Sequence, residues 1–131
     1  MAIDSQGTSN GTERWDQLYD ALSAQPRRMI IFSLLKHAEE RRLPLPDAAQ
    51  APGTPMDAER LCLQLRHRHL PMLEDAGYIR WERDPFSVER GPYFEEPALV
   101  VSKMTEESTT YPRRLREECV VIGSVTESPS D

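Results

Sequence analysis

The apolar pattern of the chain changes period at Gly77, and this change restricts the possible folds more than any other feature. From Asp57 onward, Ala58, Leu61, Cys62, Leu65, His69, Met72, Leu73 and Ala76 keep to one side of a helix for about five turns. Gly77 then stands where a helix ends in a left-handed residue. Directly after it, Tyr78-Ile-Arg-Trp-Glu-Arg83 alternates and is rich in β-formers, Asp84-Pro85 signals a turn, and Ser87 to Arg90 can return as a second strand. The expectation is a long helix, Asp57 to Ala76, feeding straight into a hairpin over about 78–90. Pro71 lies inside that helix and crowds the carbonyl of His67, so a kink near Leu70 or a fresh turn is expected there.

Upstream, Thr12 can cap a helix whose apolar positions are Trp15, Leu18, Tyr19 and Leu22. Ser23-Ala-Gln-Pro26 breaks it, and Pro26 can open a second helix with the stripe Ile30, Ile31, Leu34, Leu35 and Ala38. Leu43-Pro-Leu-Pro-Asp47 reads as extended, Asp47 to Gln50 leaves room for one helical turn, and Ala51 to Pro55 is a loop. Beyond Gly91-Pro92, the spacing of Phe94, Pro97, Val101 and Met104 favours a helix, although Ala98 to Val101 also suits a buried strand. Residues 1–11 and 108–131 are small, polar or acidic and are expected to be flexible tails around one folded domain, 12–107. The expected class is mainly α with a small β-hairpin wing, a winged helix-turn-helix.

Two stretches carry a family resemblance. Leu18-Tyr-Asp-Ala-Leu-Ser-Ala-Gln-Pro-Arg-Arg-Met-Ile-Ile-Phe-Ser-Leu-Leu35 resembles the opening two helices of ArsR-type regulators. His69-Leu-Pro-Met-Leu-Glu-Asp-Ala-Gly-Tyr-Ile79 resembles the end of their recognition helix, where a leucine pair and Ala-Gly lead into the wing. With Gly91-Pro-Tyr-Phe-Glu-Glu96 the chain is also similar to a group of haloarchaeal winged-helix domains. The resemblance spans about Leu18 to Glu107. It implies a cytoplasmic transcriptional regulator that places the helix before the wing in the major groove of double-stranded DNA. It also implies a homodimer, with Trp15 and Leu22 at one end of the domain and Val101 and Met104 at the other offering apolar surface.

On the corresponding helix, Arg60, Gln64, His67, Arg68 and Pro71 fall opposite the apolar stripe. Arginine can take guanine bidentately and glutamine adenine, so Arg60 and Gln64 suit base edges, whereas Arg66 and Arg68 suit phosphates. Arg80 or Arg83 at the hairpin could reach a minor groove or the backbone, and Arg27 and Arg28 could meet phosphate at a helix start or simply be solvated. His69 falls on the stripe and reads as a hydrogen-bonded core histidine. Cys62 lacks a nearby second thiol, so neither metal sensing nor any cofactor is expected.

The net charge of −6 argues against a nucleic-acid ligand only if it is spread evenly. Residues 25–76 carry eight basic and seven acidic groups, a local +1, while residues 1–24 and 104–131 each carry −3. No phosphate loop, His-x-x-x-His pair or nucleophile elbow is present, so an enzyme is not expected, and no apolar run suits a membrane span. The alternative is a winged-helix module for protein contacts, suggested by Asp57 and Glu59 near the helix start and by Leu63 and Leu70 lying off the main stripe.

Overall fold

The computed structural model describes residues 10–50, 57–119 and 121. The elements in order are α1 (Asn10–Ala21), α2 (Gln25–Lys36), β1 (Arg42–Pro44), a 3₁₀ turn (Asp47–Ala49), α3 (Ala58–Gln64), a π turn (Leu65–His69) and α4 (Leu70–Asp75). They continue with β2 (Ile79–Arg83), β3 (Phe86–Arg90), α5 (Glu95–Glu106), a second 3₁₀ turn (Ser108–Thr110) and α6 (Arg113–Glu118). The fold is mainly helical with a small antiparallel sheet, three-stranded among the described residues. The loop expected at Ala51 to Pro55 lies outside the described residues, as does most of the expected N-terminal tail.

The hairpin is joined by a strand that sequence reading treats only as an extended segment. β1 pairs with β3, with Leu43 opposite Val88 and Pro44 opposite Ser87, giving the order β1-β3-β2. Pro44 has no N–H to give, and a proline-bearing strand is tolerated at a sheet edge, which is where β1 lies. On the inner face Leu43, Val88 and Ile79 pack toward the helices.

Two helix ends are closed by three arginines in addition to local hydrogen bonds. Arg27 Nε donates to the carbonyl of Ala21 and Nη2 to that of Asp20, while Arg28 Nη1 donates to the carbonyl of Leu22. These are the orphan acceptors at the end of α1, where a cation also meets the favourable end of the helix dipole. Arg90 does the same for α2, donating to Leu34 O at 2.6 Å while its guanidinium lies over Phe94. α2 ends at Lys36, and Ala38, expected on its stripe, is exposed beyond it.

The long helix is a rod of three pieces. Leu70 N–H bonds to Leu65 O, five residues back, so one residue is added to the turn preceding Pro71. Widening the turn relieves the crowding that Pro71 imposes on an α-helical carbonyl four residues earlier. The inserted residue also rotates everything that follows. Leu63 and Leu70, seven residues apart, would share a face of a regular helix, yet Leu63 is 55% exposed and Leu70 is 0%. Leu70 joins Leu61, Leu65, Leu73, Ile30, Ile31 and Leu34 in the core. Gly77 closes the rod at φ +82°, and a Cβ there would sit 2.6 Å from the Tyr93 ring.

The C-terminal boundary differs from expectation. Instead of a flexible tail from 108, Ser108 is buried in a 3₁₀ turn, α6 follows, Cys119 packs against the core and Val121 is fully buried. The acidic composition concealed two apolar anchors that repay the ordering of this segment.

Candidate nucleic-acid interface

The outward side of the rod begins with Asp57, whose carboxylate accepts the backbone N–H of Arg60 at 3.3 Å and so serves as the N-cap of α3. Glu59 sits in the same first turn, where the helix dipole favours an anion. Beyond them Arg60, Leu63, Gln64, His67 and Arg68 are all exposed. Among the described residues, the side chains of Arg60, Gln64, His67 and Arg68 make no internal hydrogen bond or ion pair. Glu74 and Asp75 return negative charge at the far end of the rod.

Arg66 is different: it is half-buried, and its guanidinium lies 4.6 Å from the centroid of the Phe86 ring. Phe86 meets Trp81 edge-on at 6.1 Å, and Arg83 lies 4.9 Å over Trp81. The register makes this row possible, since Trp81 pairs with Val88 and Arg83 with Phe86 on one face of the hairpin. A guanidinium on the rod is thus linked through two rings to a guanidinium on the hairpin. Stacking of this kind orients an arginine without consuming its charge or its edge donors.

Arg80 lies on the opposite face of the sheet, paired in register with Glu89. There Arg41 and Arg42 engage Glu89, and Arg42 also engages Glu82 at 3.5 Å. The hairpin's strand carboxylates are therefore compensated from β1 and its approach. Arg80 and Arg83 consequently serve different surfaces, and only Arg83 shares one with the rod.

Arg27 leaves the candidate site altogether, and Arg28 is partly withdrawn from it. Arg27 is 2% exposed, with Nη1 donating to His69 Nδ1 at 2.8 Å and Nη2 reaching Ser23 Oγ in addition to the α1 carbonyls. Arg28 is half-buried against Leu22 O. Arg27 is not available to a phosphate, because burial and the carbonyls of α1 claim it, while Arg28 gives one nitrogen, Nη1, to Leu22 O. Burial, then the Arg27 guanidinium and then that of Arg68, push the His69 imidazole down to about 4. An arginine can only donate, so Nδ1 accepts and the ring proton resides on Nε2.

A second exposed feature lies across the molecule. Arg14, Trp15, Leu18, Glu96, Leu99 and Val100 line a groove of about 230 Å³ between α1 and α5. Trp15 and Leu99 are 55% and 60% exposed, and Tyr19, beside Trp15, is also exposed. Leu22 and Val101, expected at such a surface, are buried in the core instead.

Other chemistry is sparse. His37, Glu39 and Glu40, exposed just past α2, place ligand atoms within 4.8 Å of one another, as exposed acidic turns do without any ion. Cys62 and Cys119 are half-buried free thiols. No helix among the described residues is long and apolar enough to cross a membrane. The chain has no significant match among protein-family models, curated proteins or solved structures.

Proposed function

We propose that the chain is a cytoplasmic, ArsR-like winged helix-turn-helix protein that binds double-stranded DNA as a sequence-specific transcriptional regulator, with the α3–α4 rod as recognition helix and β2–β3 as wing. The observation that carries this reading is the run of unpaired Arg60, Gln64, His67 and Arg68 on the rod, continued by the Arg66–Phe86–Trp81–Arg83 row onto the hairpin. The order helix, strand, short turn, helix, hairpin agrees with a winged helix. Pairing on the hairpin supports it as well: Glu82 and Glu89 are compensated by arginines, although Asp57 keeps its charge as the cap of α3.

Selection of a preferred duplex from a random pool tests the reading. Arg60→Ala or Gln64→Ala should weaken binding to that duplex roughly tenfold while leaving random DNA nearly unaffected. Arg68→Ala should weaken all sequences alike and make the salt slope shallower by about one. If Arg60, Gln64 and Arg68 are all replaced with no change in affinity at low salt, the DNA reading is wrong. A protein-contact module is the second reading, favoured by exposed Leu63 with Glu59, Glu74 and Asp75; its binding would resist salt.

The partner for the α1–α5 groove is a second copy of the chain. Each copy offers an apolar strip bordered by one cation, Arg14, and one anion, Glu96, so a two-fold axis lying between the two can set each against its opposite on the other copy. Sedimentation should give a dimer at tens of micromolar, order of magnitude, and a monomer for Trp15→Ala with Leu99→Ser. Charge reversal at Arg14 alone should weaken the dimer, and reversal at both Arg14 and Glu96 should restore it; a wild-type monomer rejects the proposal.

A further inference from the structure

We infer that Leu63 reads the 5-methyl group of a thymine in the major groove, an assignment that rests on the DNA-binding reading above. Leu63 is the one large apolar side chain exposed on the rod, 55% open and absent from the packed core and its fringe. Its exposure is set by the fold: the π turn that carries Leu70 into the core leaves Leu63 behind on the outward side. There it has Arg60 one turn before it, Gln64 beside it and His67 one turn after, all exposed and polar.

An apolar contact for Leu63 in the middle of such a face would come with negative charge around it. The exposed guanidiniums of Arg60 and Arg68 on the same side favour a polyanion over an uncharged protein pocket. Of the groups that base pairs display in the major groove, the thymine methyl is the apolar one. Arg60 and Leu63 are three residues apart, about 4.5 Å along the axis, and neighbouring base pairs are about 3.4 Å apart. The thymine should therefore lie within about one or two base pairs of the guanine offered to Arg60.

Replacing thymine by uracil removes this methyl and nothing else, which gives a direct test. The full chain and Leu63→Ala are titrated with the selected duplex and with versions carrying uracil at each thymine in turn. One position in each half-site should weaken wild-type binding about fourfold, roughly the value of one buried methyl. Leu63→Ala should show the same loss on the thymine duplex and no further loss on the uracil one. Should every uracil act equally on both proteins while Arg60→Ala still relaxes the selected sequence, Leu63 does not read a methyl and the DNA reading stands. Failure to select any duplex at low salt removes the DNA reading and this assignment with it. Because Leu63 is exposed, the variant keeps its core, and unchanged thermal unfolding checks this directly.

Discussion

Replacing Arg27 by methionine is expected to lower the unfolding free energy by about 2–4 kcal/mol, the order set by losing charge-assisted hydrogen bonds to buried neutral acceptors. Methionine fills a similar volume, so the loss isolates hydrogen bonding rather than a cavity. Without the guanidinium, the carbonyls of Asp20 and Ala21 and Nδ1 of His69 are left without their charged donor. Hydrogen bonds to charged groups are worth about 1.5–3 kcal/mol each, and buried acceptors left alone bear the full desolvation penalty. The bonds join the end of α1, the start of α2 and the π turn of the rod, so their loss should loosen three elements at once. Arg27→Lys should fall between the two because a lysine cannot span the same fork of acceptors. Urea unfolding with circular dichroism gives the measurement. A loss below about 1 kcal/mol with an unchanged m-value would show that water takes over these acceptors and that the knot adds little to stability. Adding His69→Leu to Arg27→Met should recover part of the loss, since the unpaired nitrogen is then gone.

That knot also marks the limit of what could be read from residues alone. The stripe rule places His69 inside, and it is buried there, but nothing local connects it to Arg27, which is 42 positions away in sequence. Two adjacent arginines after a helix break look like a phosphate site because side chains that cap a distant carbonyl and those that meet an anion have the same composition. The signal lies in accounting: Ser23-Ala-Gln-Pro26 contains no glycine to close α1, Ser23 reaches only the carbonyl of Asp20, and those of Ala21 and Leu22 take their donors from Arg27 and Arg28.

The rod shows the same division. Its span and its termination at Gly77 follow from periodicity, and a disturbance near Pro71 follows from the ring's missing N–H. The form of the disturbance does not, because a kink, a break and an inserted residue all relieve the same crowding. Only the insertion rotates the later residues, and it decides that Leu70 is core while Leu63 faces outward. Arg60, Gln64, His67 and Arg68, at or before that rotation, lie on the exposed side that helical spacing assigns to them. Helical spacing suits Arg66 to phosphate, whereas its position over Phe86 joins the rod to the hairpin as well, a contact invisible without the sheet register.

The largest effect of pH is expected from His69. Its imidazole is held neutral in the fold, down to about 4 from an ordinary 6.5, by burial first and by the guanidiniums of Arg27 and Arg68 next. For a base whose folded value is depressed, the unfolded chain binds the extra proton first, between these two pH values. Stability from this group is therefore complete above about pH 6.5 and falls as the pH drops toward 4. The span corresponds to about 2–3 kcal/mol once some solvent screening of the charges is allowed. Protonation would set N–H of His69 against the N–H of Arg27 2.8 Å away, and it would do so in the π turn that carries His67 and Arg68 outward. Acid should then disorder the proposed recognition helix together with the core. His69→Asn supplies a carbonyl oxygen in place of Nδ1, keeps the Arg27 bond and cannot titrate, so subtracting its stability curve from that of wild type removes the contributions that the two proteins share. The difference should be nearly constant above pH 7 and move by about 2–3 kcal/mol in favour of the asparagine variant by pH 4. A His69 ring resonance that titrates near 6.5 in the folded protein, or parallel stability curves for the two proteins, would mean that this nitrogen is not held as an acceptor for Arg27.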